Sequence, residues 1–214
     1  MDNADTFQEK YRKSAPKIAA ALNRRNYEVF LCETTPEAVN QVLALIPCGL
    51  TISWGGSMTL DQIGIKERLK KEHYHTIDRD KAETEEERFS IMRESLLCDI
   101  YLSSVNAISE DGVMINIDAT GNRISAIAFG PRKVILIIGI NKVCRTTDEA
   151  KKRARTYAAP RNGIHQSLNL PYTKTGKCCD CYTTESMCSQ IVEMHRNRIP
   201  GRITVVLVGE SLGL

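Results

Sequence analysis

Two apolar runs, Ile100 to Leu102 and Val134 to Ile140, frame the segment that most constrains this chain. The second reads VILIIGI, a short, β-branched, uninterrupted run of the kind that forms a strand buried on both faces. Between the runs lie Asn106, Glu110, Asp111, Asn116, Asp118, Asn122 and Arg123, with Gly112, Gly121 and Gly130 among them. A core has no use for so many hydrogen-bonding groups, because each one buried without a partner costs stability. They are therefore expected to line a cleft at the strand ends, where glycines let the backbone turn or approach a ligand.

The rest of the chain alternates strand and helix signals. Apolar residues Phe7, Tyr11, Ile18, Ala21 and Leu22 fall at helical spacing and precede a strand signal at Glu28 to Cys32. Thr35-Pro36-Glu37 opens a helix, with a hydroxyl cap, proline at the first position and a carboxylate at the positive end of the dipole. Strands are expected at Leu50 to Ser53, His75 to Ile77, Ile100 to Ser103, Met114 to Ile117, Val134 to Ile138 and Ile203 to Val208. Helices are expected at Met58 to Leu69, Glu83 to Leu97, Ile124 to Phe129, from a Thr147-Asp148-Glu149 cap to Ala158, and at Glu185 to His195. Such repeated strand–helix units predict a three-layer α/β/α fold with a mainly parallel sheet. The 214 residues are read as one α/β domain, 1–214, with a cysteine-rich segment at 170–190.

Charge is nearly balanced, 29 basic against 26 acidic residues, which leaves no electrostatic footprint for duplex nucleic acid. Lys151-Lys152-Arg153 with Arg155 reads as a solvated helix face. The first residues are polar and acidic, and no apolar run approaches the roughly 20 residues of a membrane span, so a cytoplasmic protein without membrane contact is expected. In a reducing compartment its eight cysteines are read as metal or redox ligands where clustered and as small core residues where scattered. His73 and His75 flank a strand without an acidic or cysteine partner and carry no assigned role.

Several motifs together resemble the lactate-utilisation domain (LUD) family. They are Gly55-Gly56-Ser57-Met58-Thr59-Leu60, Asn106-Ala107-Ile108 with Asp111-Gly112, Asn116-Ile117-Asp118 through Gly121-Asn122-Arg123, Phe129-Gly130-Pro131, Asn141-Lys142, Thr175-Gly176-Lys177-Cys178 with Asp180-Cys181, and Val206 to Glu210. The resemblance implies the fold group shared by ribose-phosphate isomerases, glucosamine-phosphate deaminases and coenzyme A transferases. It also implies a place in lactate oxidation alongside iron–sulfur oxidoreductase partners.

Within that frame, Gly55, Gly56, Ser57 and Thr59 resemble the phosphate-binding loop of ribose-phosphate isomerases, at a strand-to-helix junction where an anion can be held. The alternative is a tight turn with glycines for packing. Asn106, Asn116, Asp118, Gly121, Asn122 and Arg123 are read as binding residues: amides donate and accept, a carboxylate accepts from hydroxyls, and a guanidinium clamps an anion. Asx turns and a helix cap would account for Asp118 and Asn122 equally. Lys142, just past a strand, is placed to neutralise an anion.

Glu110, in Ser109-Glu110-Asp111-Gly112, resembles the nucleophilic glutamate of coenzyme A transferases, a role that requires a dry pocket. An exposed hairpin turn is the more economical reading. Cys178, Cys181 and Cys188 form a candidate metal set, with iron–sulfur and zinc both open and a fourth ligand unassigned. Reduced, unmetallated thiols are the equal alternative. The leading expectation is a cleft for a small anionic metabolite, whether phosphosugar, carboxylate or acyl thioester, in an isomerase or transferase and in a homo-oligomer. An iron–sulfur accessory electron-transfer subunit and a non-catalytic ligand sensor are the other two readings.

Overall fold

The computed structural model describes residues 3–72 and 74–214; His73 lies outside the described residues. Six strands form an all-parallel sheet: β1 (Glu28–Cys32), β2 (Thr51–Trp54), β3 (His75–Ile77), β4 (Ile100–Ser103), β7 (Lys133–Gly139) and β10 (Ile203–Val208). Their spatial order is β1-β10-β7-β4-β2-β3. The two longest strands run side by side, with Val134 to Gly139 paired against Ile203 to Val208.

Strand periodicity explains the layers. Val134, Leu136 and Ile138 of β7, with Val205 and Leu207 of β10, point into one apolar cluster that contains Ile18 and Leu22 of helix α1 (Asn3–Arg24). The alternate residues Ile135, Ile137, Val206 and Val208 enter a second cluster with Val42 of α2 (Thr35–Ala44), Leu60 of α3 (Met58–Gln62) and Leu69 of α4 (Ile65–Lys71). A sheet buried on both faces is what continuous apolar strands require.

A second, four-stranded sheet joins β5 (Ala107–Ser109), β6 (Met114–Asp118), β8 (Val143–Cys144) and β9 (Gln190–Met194) in the order β8-β5-β6-β9. It packs Ile115 and Ile117 against Ala150 and Ala154, from α7 (Thr147–Arg153) and the π-helical turn that follows. The segment expected as a helix from Glu185 to His195 is here β9, antiparallel to β6. Pairing with the open edge of β6 decides the conformation of Ile191 and Val192, residues that suit a pleated strand.

Three helices open with the same device, and in α2 and α7 the cap falls one residue before the expected Thr35 and Thr147. Thr34 caps α2, Thr84 caps α5 (Glu85–Glu94) and Thr146 caps α7, each hydroxyl accepting from the N–H three residues on. Glu37, Glu87 and Glu149 reach back to the N–H groups of Glu33, Glu83 and Arg145. The expected helix from Met58 to Leu69 breaks into α3 and α4 at Gly64, whose φ of +69° is left-handed. Helix α6 (Asn122–Ala128) follows β6, α8 (Ala159–His165) follows the π-helical turn, and α9 (Pro171–Thr175) lies within the cysteine-rich segment. Among the described residues no helix is long and apolar enough to cross a membrane.

Candidate functional site

A cleft of about 330 Å³ opens at the carboxyl ends of the parallel strands. Gly56 to Thr59 follow β2, Arg79 follows β3, Ser104 to Asn106 follow β4 and Lys142 follows β7; Asp118, Asn122 and Arg123 come from the end of β6 and the start of α6. Ligands of open α/β sheets bind at this end, where neighbouring connections diverge.

Arg123 organises one wall. Its Nη1 donates to Asn116 Oδ1 (2.8 Å) and the Ser104 carbonyl (3.1 Å), and its Nη2 to the Ile117 carbonyl (2.6 Å) and Asn106 Oδ1 (3.0 Å). Nε lies 3.4 Å from Asp118 Oδ2. A guanidinium has five N–H donors, and these contacts engage them all. Burial pulls the Arg123 pKa down, and Asp118 opposes that by favouring the charge. Asn106 Oδ1 also accepts from the Ile117 N–H (2.9 Å), and Asp118 Oδ1 from the Gly121 N–H (2.9 Å). Asn116 is fully buried. Arg123, Asn106, Asn116 and Asp118 are thus one another's partners, and the wall is built before any ligand arrives. Gly121 has φ +88°, and a Cβ there would collide with Gln190 Oε1. Asn122 begins α6 on the cleft.

Two cations are less engaged. Lys142 is 4% exposed, and its Nζ sits 2.9 Å from both Thr59 Oγ1 and Ser104 Oγ. Among the described residues no carboxylate pairs with it. Burial, reinforced by the charges of Arg153 and Arg123, pulls its pKa down to about 7. Arg79 is largely buried; its Nη1 reaches only the Met92 sulfur (3.3 Å), and Asp80 stands off at 3.9 Å. Among the described residues its buried Nε has no hydrogen-bond partner. Gly56 makes room for it, since a Cβ there would lie 2.5 Å from Arg79 Nη2.

Other expected residues have other places. Gly55 is buried beneath the Tyr101 hydroxyl and the Arg123 side chain, each of which a Cβ would crowd, and does not line the cleft. Ser57 lines the cleft while its hydroxyl caps α3 by accepting from Leu60 N–H. Glu110 is exposed in the β5–β6 turn and away from the cleft walls; its N–H donates to the Cys144 carbonyl, while neighbouring Asp111 pairs with Arg25 at 2.6 Å. The dry pocket that a nucleophilic carboxylate requires is absent around it. Arg153, expected in a solvated face, instead turns inward: it donates to the Asn106 and Asn141 carbonyls and lies over the Tyr157 ring.

Arg79 and Ser104 line the cleft and were missed by sequence reasoning, as was Arg153, which packs beside the cleft against the Asn106 and Asn141 carbonyls. A rule was at hand for the first two, since each directly follows a strand that the sequence marks. For Arg153 no signal separates an inward arginine from the lysines beside it.

Cys178, Cys181 and Cys188 are half-buried in one neighbourhood: burial first, then the nearby Cys178 and Cys181 thiols, pushes the Cys188 thiol up. Among the described residues, however, no three of His, Cys, Asp and Glu converge as a metal-holding group. As arranged, these thiols do not form a closed ligand set. Cys32 and Cys98 are buried core thiols.

No curated protein matches the chain. Among solved structures it resembles a DUF162 family protein from Deinococcus radiodurans, with a TM-score of 0.53 at 10% identity over 92% of this chain and 97% of that one. That likeness speaks for the α/β fold, a parallel sheet with a second sheet beside it. The profile of the LUD domain matches residues 15–208, so nearly the whole of this chain is that domain, and the protein belongs to the LUD domain family.

Proposed function

We propose that the cleft binds a small anionic metabolite, a carboxylate or a phosphate monoester, at the carboxyl ends of the sheet. The observation that carries this reading is Arg79, a largely buried guanidinium on the cleft wall whose Nε has no hydrogen-bond partner among the described residues, with Asp80 standing off at 3.9 Å. A buried, unsatisfied charged donor is costly, and an anion is the natural group to satisfy it. Asp118, the carboxylate on the same wall, is neutralised by Arg123 and does not oppose an anion. The cleft volume lies at the small end of ligand sites, which favours a compact acid or sugar phosphate over a whole coenzyme A. The lactate-utilisation association of the family makes lactate and pyruvate the first acids to try.

Calorimetry and thermal shift with inorganic phosphate, pyruvate, lactate, ribose 5-phosphate and acetyl coenzyme A test the reading. At least one anion should raise the melting temperature, and Arg79→Met should weaken its binding about tenfold or more, a change of about 1.4 kcal/mol. Failure of every anion at millimolar concentration, or unaltered binding by Arg79→Met, would overturn it.

A further inference from the structure

Lys142 has a setting that binding alone does not account for. Its side chain is sealed at the floor of the cleft, yet among the described residues its Nζ hydrogen-bonds only to hydroxyls, Thr59 from α3 and Ser104 after β4, each at 2.9 Å. The charged groups that act on it, Arg123 from α6 and Arg153 from α7, are both cations. Such a site disfavours an ammonium and favours the free amine, which uses two N–H bonds on the hydroxyls and keeps a lone pair unused. A lysine desolvated beside other cations is how proteins prepare an amine to attack carbonyls.

We propose that Lys142 is an amine nucleophile that captures the carbonyl carbon of a small anionic aldehyde or 2-oxo acid as an imine. This deepens the anion-binding reading and rests on it, with Arg79 taking the anionic end. The Nζ lone pair forms the C–N bond while the carbonyl π-pair moves to oxygen. The amine proton passes to that oxygen, and Thr59 and Ser104 are the hydroxyls in contact with Nζ that can relay it. Loss of water from the carbinolamine then gives the C=N bond, so amine plus carbonyl yields imine plus water with no change of oxidation state. The burial-lowered pKa of about 7 leaves about half of Lys142 as free amine at neutral pH. Exposed lysines, with pKa about 10.4, hold roughly a thousandth of that fraction.

Pyruvate, glyoxylate and the neutral aldehyde propanal, each with cyanoborohydride at pH 7, would fix any imine as a secondary amine. Intact mass and peptide mapping then locate it. The expected result is a single adduct on Lys142 formed at least tenfold faster than on any other lysine, absent from Lys142→Met and Lys142→Gln. That preference should fade as pH rises toward 10 and the other amines deprotonate. Adducts spread evenly over the lysines, or unchanged labelling in both variants, would overturn the proposal. Arg79-dependent stabilisation by lactate, which has no carbonyl to capture, reports separately on anion binding. Lactate binding without Lys142 labelling would therefore sink the imine and leave the binding reading standing. Labelling of Lys142 by propanal without stabilisation by any of the tested anions would sink the binding reading and retain the nucleophile.

Discussion

Replacing Arg123 by Met should cost stability far more than it costs ligand affinity. Methionine keeps much of the apolar stem and removes the guanidinium that five acceptors share. Three of those acceptors keep another partner: Asn106 Oδ1 retains the Ile117 N–H, the Ser104 carbonyl retains the Ser103 hydroxyl, and the Asp118 carboxylate retains the Gly121 N–H through its other oxygen. Asn116 Oδ1 does not, because its contact at 2.8 Å is with Arg123 and the residue is fully buried. The Asp118 carboxylate, 9% exposed, is left as an uncompensated charge. Breaking a buried pair from one side costs about 3–5 kcal/mol, and an orphaned neutral acceptor about 1–3. Water entering from the adjacent cleft recovers part of this, so a net loss of about 4 kcal/mol is expected, a large share of the 5–15 typical of a domain. Urea unfolding should show it as a lower midpoint with an unchanged slope. Adding Asp118→Asn should return about 1–2 kcal/mol, because the amide carries no charge to strand. A loss below about 1 kcal/mol for Arg123→Met would refute the reasoning; the guanidinium would then stand free in the cleft and belong with the ligand contacts.

Two further outcomes are expected from other buried cations. Folded Lys142 releases its proton near pH 7 and unfolded lysine near 10.5, so between these values the unfolded chain binds more protons and stability rises with pH. From pH 7 to pH 9 the wild type should gain about 2 kcal/mol relative to Lys142→Met by urea unfolding, and a flat difference would contradict the lowered pKa. Arg202 donates to the carbonyls of Ala126 and Ile127 at the end of α6 and to that of Pro131. Arg202→Leu should therefore lose about 3 kcal/mol, and amide exchange in α6 should accelerate; native-like exchange there would show that the carbonyls find other donors.

The parallel sheet was legible because its strands are buried on both faces and carry little but Val, Ile and Leu, as in Val134 to Ile138 and Ile203 to Val208. Of the second sheet only β6 was, as the strand expected at Met114 to Ile117. Ala107–Ser109 and Val143–Cys144 are too short for a period to register, and they exist as strands only because each finds a partner. Gln190 to Met194 defeats the reading in another way, since one short apolar pair in a polar setting fits either period until the edge of β6 selects the strand. At the site, position was legible and role was not. Asn106, Asp118, Asn122 and Arg123 do meet at strand ends, while Glu110 and Asp111 lie away from them, and whether a side chain faces a ligand or a neighbour depends on distances that sequence spacing does not contain.

That distinction reverses the weight of the residues. Density of polar groups drew attention to Asn106, Asn116, Asp118 and Arg123, and density is the reason they are occupied: close together, they satisfy one another. A group available to a ligand is one whose neighbours leave it short of partners. By that criterion the groups of the cleft left open to a ligand are Arg79, from a short charged stretch after β3, and Lys142, set among cations and hydroxyls. The Arg123 network is then the rigid wall against which those two are held. Its contribution to binding is indirect: it fixes the Ser104 and Asn106 backbone on which Lys142 and Arg153 depend.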